Sequence, residues 1–201
     1  MDYSIHSVKH QKELESILLE VSRIFSRAIP TEGKYSLDFW IEHMNKNSEL
    51  LLFAEKDGKI LGSTFGWEEG GTLTIAHCFV HEDYRKSGIG KALMLEEEKR
   101  AKELGFSDIV LGSADGAEEF YERLGYKGTL LVQSEIHSIE ELLNFNENNK
   151  KYKVKGTNVY DGYVNQIFLE VPISDKDIRK AYEAELKGCY AGMAFGKSIK
   201  N

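Results

Sequence analysis

The chain has 201 residues, 41% hydrophobic and 29% charged, which suits one sizeable core or a core with a smaller appended unit. No apolar run is long enough to span a bilayer, and Met1-Asp2-Tyr3-Ser4 lacks the basic-then-apolar pattern of a signal peptide, so the expectation is a cytoplasmic protein without a membrane partner. The net charge of −7 lies wholly in residues 1–129, which argues against a nucleic-acid partner and weakly favours a cationic one such as an amine; solubility alone accounts for it and ranks ahead.

Ser4 to Val8 reads as a first strand. Leu14, Ile17, Leu18, Val21 and Phe25 then recur at helical spacing, and Pro30-Thr31-Glu32-Gly33 breaks that helix. Ser36 is a cap for a second helix to Asn45 with Phe39, Trp40 and Met44 on its apolar side. Leu50 to Glu55 and Lys59 to Phe65 flank Asp57-Gly58, a two-residue hairpin turn, and Gly70-Gly71 turns the chain into a strand from Thr72 to Val80. A helix follows from Gly88 to about Leu104, with Ile89, Leu93, Ala101 and Leu104 on one side and acidic residues opposite, ended by Gly105. Asp108 to Leu111 is a short apolar strand suited to a parallel position beside the strand that ends at Val80.

Beyond Tyr126 the spacing predicts a strand over Thr129 to Ile136 and a helix opened by the capping box Ser138-Ile-Glu-Glu141. Alternation at Tyr152 and Val154 and the run Tyr163 to Val171 predict two more strands. Ser174 to Leu186 suits a helix with Ile178, Tyr182 and Leu186 on one face, and Tyr190 to Phe195 a last strand. That order, β-α-β-β-α-β, is the ferredoxin-like pattern. Cys78 and Cys189 are far apart and fit no metal-ligand spacing, so no metal is expected and both read as reduced, buried small side chains.

The segment Phe79-Val80-His81-Glu82-Asp83-Tyr84-Arg85-Lys86-Ser87-Gly88-Ile89-Gly90-Lys91 carries the most chemistry: a strand enters it, a basic glycine loop follows and a helix leaves it. Such a loop offers backbone N–H groups, a positive helix end and cationic side chains to an anion. Walker A requires glycine at position 85 and Ser or Thr at 92, where Arg85 and Ala92 stand; the Rossmann fingerprint requires a small residue at Leu93. Arg85 to Gly90 instead forms RxxGxG. With Val80, the Tyr84-Arg85 pair, the helix start Lys91-Ala-Leu-Met, and a second block Ala117-Glu-Glu-Phe-Tyr121-Glu-Arg-Leu-Gly125-Tyr126, the chain resembles the GNAT superfamily of acyl-CoA-dependent N-acyltransferases.

The resemblance implies an α/β (α+β) fold: a mixed, mostly antiparallel sheet with splayed central parallel strands flanked by helices, here followed by a small C-terminal α+β unit. Residues 1–129 are then the acetyltransferase domain. Residues 130–201 are either a small second domain, the preferred reading, or an extension of the same sheet, since relatives finish with two more strands and Gln166 to Val171 suits the last of them. Acetyl-CoA is the implied co-substrate. Arg85, Lys86, Ser87, Gly88, Ile89, Gly90 and Lys91 are implied to hold its phosphates; the backbone of Cys78, Phe79 and Val80, with Ser113, to meet the pantetheine arm; and Tyr121 to protonate the leaving thiolate. Relatives often carry Asn where Ala114 stands, so Ser113 or backbone groups substitute there. Phe120 and Tyr121 are adjacent and cannot share a helix face; the reading puts Phe120 on the sheet.

The base is less legible. Relatives carry Glu or His where this chain has Thr74 and Ala76, neither of which takes a proton. His77 has the opposite parity in a regular strand, and a β-bulge would turn it inward. Glu68 and Glu69 at the neighbouring turn are the other candidates, and deprotonation through water, with one of them, stands slightly ahead of His77. The implied reaction is direct acetyl transfer to a primary amine, a small molecule ahead of a protein N-terminus or lysine. A CoA-binding module without catalysis is the alternative, and a homodimer is left open.

Overall fold

Local capping and turn chemistry place the first elements. The computed structural model describes residues 2–200. It divides into two compact units, the chain up to Ile109 with the tail from Ser198, and Val110–Lys197. The first holds β1 (Ser4–Ser7), α1 (Gln11–Phe25), α2 (Leu37–Asn47), β2 (Leu51–Lys56), β3 (Lys59–Glu69), β4 (Thr72–Val80) and α3 (Ile89–Glu103). The Glu13 carboxylate accepts the N–H groups of Lys9 and His10 and closes a capping box at the start of α1. Ser36 Oγ accepts the Phe39 N–H at 3.2 Å and starts α2. Asp57 and Gly58, at φ 52° and 75°, form the tight turn between β2 and β3. β1 to β4 pair antiparallel in chain order.

Strand alternation gives this sheet two apolar faces. Leu51, Phe53, Phe65, Trp67 and Phe79 pack with Leu14, Ile17 and Leu18 of α1 and Trp40 of α2. Leu52, Ala54 and Leu61 pack with Ile89 and Leu93 of α3, and Val80 and Tyr84 lie against them. Close strand approach is secured at Gly62, where a Cβ would sit 2.5 Å from the Phe79 carbonyl oxygen. Two corrections to the helix readings follow. Phe25, at the last position of α1, is 38% exposed and Ile24 packs on the core in its place. On α3, Leu104 lies past the last turn and is 44% exposed, while Glu97, expected on the wet side, is fully buried.

Strand β5 (Asp108–Gly112) leads from the first unit into the second, which continues with α4 (Glu118–Arg123), β6 (Lys127–Ser134), α5 (Ile139–Asn148), β7 (Lys153–Tyr160), β8 (Val164–Glu170), α6 (Lys176–Glu185) and β9 (Cys189–Ser198). β6 pairs antiparallel with β9 and with β8, and β8 pairs antiparallel with β7. From β6 onward this is the expected ferredoxin-like order, with the last strand beside the first. Leu130, Val132, Ile167, Leu169, Met193 and Phe195 are among its buried strand residues, and Leu142, Ile178 and Tyr182 among the buried residues of its helices. The Ser138–Glu141 box opens α5, and Asp175 Oδ1 caps α6 by accepting the Ile178 N–H at 3.3 Å. Among the described residues no helix is long and apolar enough to cross a membrane, and no group of His, Cys, Asp and Glu is arranged to hold a metal ion.

Candidate active site

The loop after β4 is built by its own backbone. The His81 N–H bonds the Leu61 carbonyl at 2.8 Å, a single tight turn follows over Glu82–Tyr84, and the Arg85 N–H returns to the Glu82 carbonyl. Arg85 Nε donates to the Val80 carbonyl at 3.3 Å, and the Asp83 carboxylate lies against His81. Lys86 at φ 62° and Gly88 at φ 90° then swing the chain into α3. The first α3 hydrogen bond is from Ala92 N–H to the Gly88 carbonyl, so the N–H groups of Ile89, Gly90 and Lys91 point out of the helix end. No side chain caps that end and its first turn carries no acid. Nothing lies within 4 Å of where a Gly88 Cβ would stand. Three outward N–H groups, an uncompensated helix end and the cations Arg85, Lys86 and Lys91 fit an anion of phosphate type.

In β4, a bulge decides which side chains share a face. Phe65 pairs with His77 but Gly66 pairs with Ile75, so Ala76 is the extra residue. His77 thereby sits with Phe65 and Thr74 with Trp67, on the side covered by α1 and α2. The His77 ring lies 4.8 Å from the Phe65 ring and shares a 2.8 Å hydrogen bond with Ser63 Oγ. Burial pulls its pKa down to about 3, so it is neutral at pH 7 and a weak base. Burial, and after it the Glu97 charge, pushes the Cys78 thiol up to about 12, which leaves it protonated and unreactive. Phe79 is a core side chain, and Val80 packs toward Ile89 and Leu93. Glu68 and Glu69 are exposed at the end of β3, with Lys46 Nζ 3.4 Å from Glu68 and Lys34 Nζ 4.0 Å from Glu69. Glu68 also borders a cavity of about 90 Å³ with His43, Lys46, Asn47, Leu50, Gly66 and Trp67.

In the second unit, Ser113 is buried; its N–H bonds the Met193 carbonyl and its Oγ the Ala114 carbonyl. Tyr121 lies on the buried side of α4 with Phe195 and Tyr126 around its ring. Phe120 is the half-buried one of the pair, the reverse of the expectation, because Glu118 and Tyr121, one turn apart, define the inner face of this short helix.

A family model described as an acetyltransferase (GNAT) domain matches residues 31–137, more than half of the chain. The chain belongs to the GNAT acetyltransferase family. Acetyltransferase SG1711 of Sodalis glossinidius is 34% identical over 87 residues, 42% of this chain and 61% of that protein. Probable N-acetyltransferase 14 of Danio rerio is 33% identical over 94 residues, 44% of this chain and 32% of that one. The chain thus spans less than two thirds of the curated relatives it matches. A GNAT-family acetyltransferase from Staphylococcus aureus Mu50 shares the fold at a TM-score of 0.58 and 15% identity, covering 99% of this chain and all of that one. The ribosomal-protein-S18-alanine N-acetyltransferase of Escherichia coli does so at 0.52 and 15%, covering all of this chain and 96% of that one.

Within this GNAT chain, three buried charged groups escaped the sequence reading: Glu97, Arg179 and its partner Glu118. Glu97 is 0% exposed, and among the described residues neither carboxylate oxygen has a hydrogen-bond partner, nor does Thr64 Oγ1 on β3. Its position four residues from both Leu93 and Ala101 was the available signal. Arg179 of α6 is 6% exposed: Nη1 donates to Asp115 Oδ1 and Nη2 to Glu118 Oε1, each at 2.9 Å. It follows Ile178 directly and stands three residues before Tyr182, at the margin of the predicted apolar face.

Proposed function

We propose that this chain is an N-acetyltransferase that moves the acetyl group of acetyl-CoA directly to a primary amine of a small-molecule acceptor. The observation that carries the proposal is the start of α3: three outward N–H groups, no acid in the first turn, and Arg85, Lys86 and Lys91 around them. In this reading Arg85 to Lys91 hold the diphosphate, and Gly88 leaves room for its oxygens. The backbone of Cys78, Phe79 and Val80, together with Ser113, holds the pantetheine arm, and a strand N–H near Val80 faces the developing oxyanion. Holding amine and thioester side by side supplies much of the rate.

The balance of the reaction assigns the protons. An ammonium R–NH₃⁺ must lose one proton to become a nucleophile. After C–N bond formation the C–S bond breaks, the thiolate takes a proton from Tyr121, and the nitrogen loses its second proton, which restores the Tyr121 phenol. Glu68 receives the acceptor's proton through water, since it borders a cavity roomy enough for a few waters. Glu69 does not line that cavity, and His77 is too weak a base. Cys78 takes no acetyl group, because its thiol stays protonated.

The second reading, a CoA-binding module without turnover, is favoured by Thr74 and Ala76 standing where relatives carry a base and by the depressed basicity of His77. Thiol release from acetyl-CoA, measured against alkylamines, polyamines, amino acids and peptide N-termini, separates the two. The enzyme reading expects release with at least one amine and a fall of tenfold or more in kcat for Tyr121→Phe, the lower end of general-acid contributions being about 100-fold. CoA binding with no release on any amine supports the module.

A further inference from the structure

Helix α4 carries Tyr121 but has only six residues, Glu118–Arg123, and no side-chain cap at Ala117. A helix that short has no stability of its own. What holds its start is a buried knot of charge: Glu118 Oε2 accepts the Gly116 N–H at 2.7 Å, and Glu118 Oε1 accepts from Arg179 Nη2. The same guanidinium reaches Asp115 with Nη1 and the Ile173 carbonyl with Nη2. The side chains of Arg179 and Glu118 are 7% and 6% exposed, so neither charge has water as an alternative partner. Glu118 and Tyr121 are one turn apart on the same inner face, so the direction in which Glu118 is pulled sets where Tyr121 points. Tyr121 lies inside the stretch matched by the family model, 31–137, whereas Arg179 lies outside it.

We propose that Arg179 is a positioning residue for acetyl transfer: α6, from the part of the chain beyond the family match, clamps the start of α4 through Asp115 and Glu118 and so aims the Tyr121 hydroxyl. This rests on the reading of Tyr121 as the group that protonates the thiolate. A planar guanidinium bridging two carboxylates fixes an angle as well as a distance, which a lysine ammonium cannot do. An error of about 1 Å in placing such a group costs up to about 100-fold in rate.

The test is a double-substitution cycle of Arg179→Met and Tyr121→Phe. It is read as thiol release from acetyl-CoA per folded protein, with the most active amine of the panel above and separately with water as acceptor. CoA affinity by calorimetry and the thermal midpoint are measured on the same four proteins. The expected result is a tenfold or greater fall in kcat for Arg179→Met with KM for acetyl-CoA changed less than twofold, and no further loss when it is added to Tyr121→Phe. Glu118→Gln falls in the same direction by less. If Arg179→Met does not fold, Arg179→Lys, which keeps the charge but not the bridge, takes its place in the cycle.

Losses that multiply in the double variant overturn the inference, as does a lowered thermal midpoint with unchanged kcat per folded protein. A Tyr121→Phe enzyme as fast as the parent, or a parent that binds CoA and releases no thiol, overturns instead the reading beneath it, and the inference with it.

Discussion

Glu97 shows how far a single side chain can depart from its composition. In sequence it belongs to the run Glu96-Glu97-Glu98, which reads as a wet helix face. Four-residue spacing from Leu93 puts it inside instead, where burial raises its pKa well above the usual carboxylate value; Arg100 works against this and Glu96 with it, and Cys78 faces it from β4. The folded protein therefore keeps a proton on Glu97 that the unfolded chain has shed. Stability from this group is fully present below the unfolded value near 4.5 and is lost as pH rises toward the folded value, at a slope approaching ~1.4 kcal/mol per pH unit. Glu97→Gln keeps the shape and removes the titration. Urea midpoints at pH 5 and pH 8 should show the parent losing more stability between them than the variant, with the variant the more stable at pH 8; parallel curves would contradict this. His77 runs the other way: its folded pKa is lowered from 6.5 to about 3, so its contribution is present above 6.5 and is lost as pH falls. The acidic arm common to both proteins therefore does not mask the difference. For Glu97 the spacing from Leu93 and Ala101 was the one signal in the sequence; the His77 shift had none, because its burial is set by which face the bulged strand presents, not by residue type.

Turns and caps were the legible elements. Ser36, Asp57-Gly58 and Ser138–Glu141 act within four residues of themselves, so local chemistry sufficed to find them. The bulge at Ala76 was not locatable, since it depends on how β4 pairs with β3, and it alone decides that His77 and Phe65 share a face. The same pairing separates two glycines that look alike in sequence. At Gly62 a Cβ would meet the Phe79 carbonyl at 2.5 Å and the Val80 Cα at 3.2 Å, both backbone atoms of the paired strand. Gly62→Val should cost about 3 kcal/mol or more, seen as a lowered urea midpoint, with any loss of CoA binding following from unfolding. Gly88 faces open space at φ 90°, so a side chain there costs only the backbone strain, about 1–2 kcal/mol, while filling the place proposed for phosphate oxygens. Equal midpoints for the Gly62→Val variant and the parent would contradict the packing account of β3 and β4.

At the scale of the whole molecule, two motif blocks carried the family assignment, and element order carried the fold of the second unit. RxxGxG and the Tyr121 block lie within residues 31–137, and the family match covers the same stretch. The βαββαβ order was readable from β-rich runs, the Ser138–Glu141 capping box and the helical spacing of Ile178, Tyr182 and Leu186. The clamp of Arg179 on Glu118 was not, because it joins residues 61 positions apart and no local pattern announces it. The central claim is that the start of α3 is a diphosphate site. Calorimetric titration of CoA into the parent and into Gly88→Val tests it most directly, with thermal midpoints as the control for folding. The account predicts one CoA bound per parent chain and at least tenfold weaker binding by a Gly88→Val protein that still melts cooperatively; equal affinity in the two, or no binding by the folded parent, would contradict it.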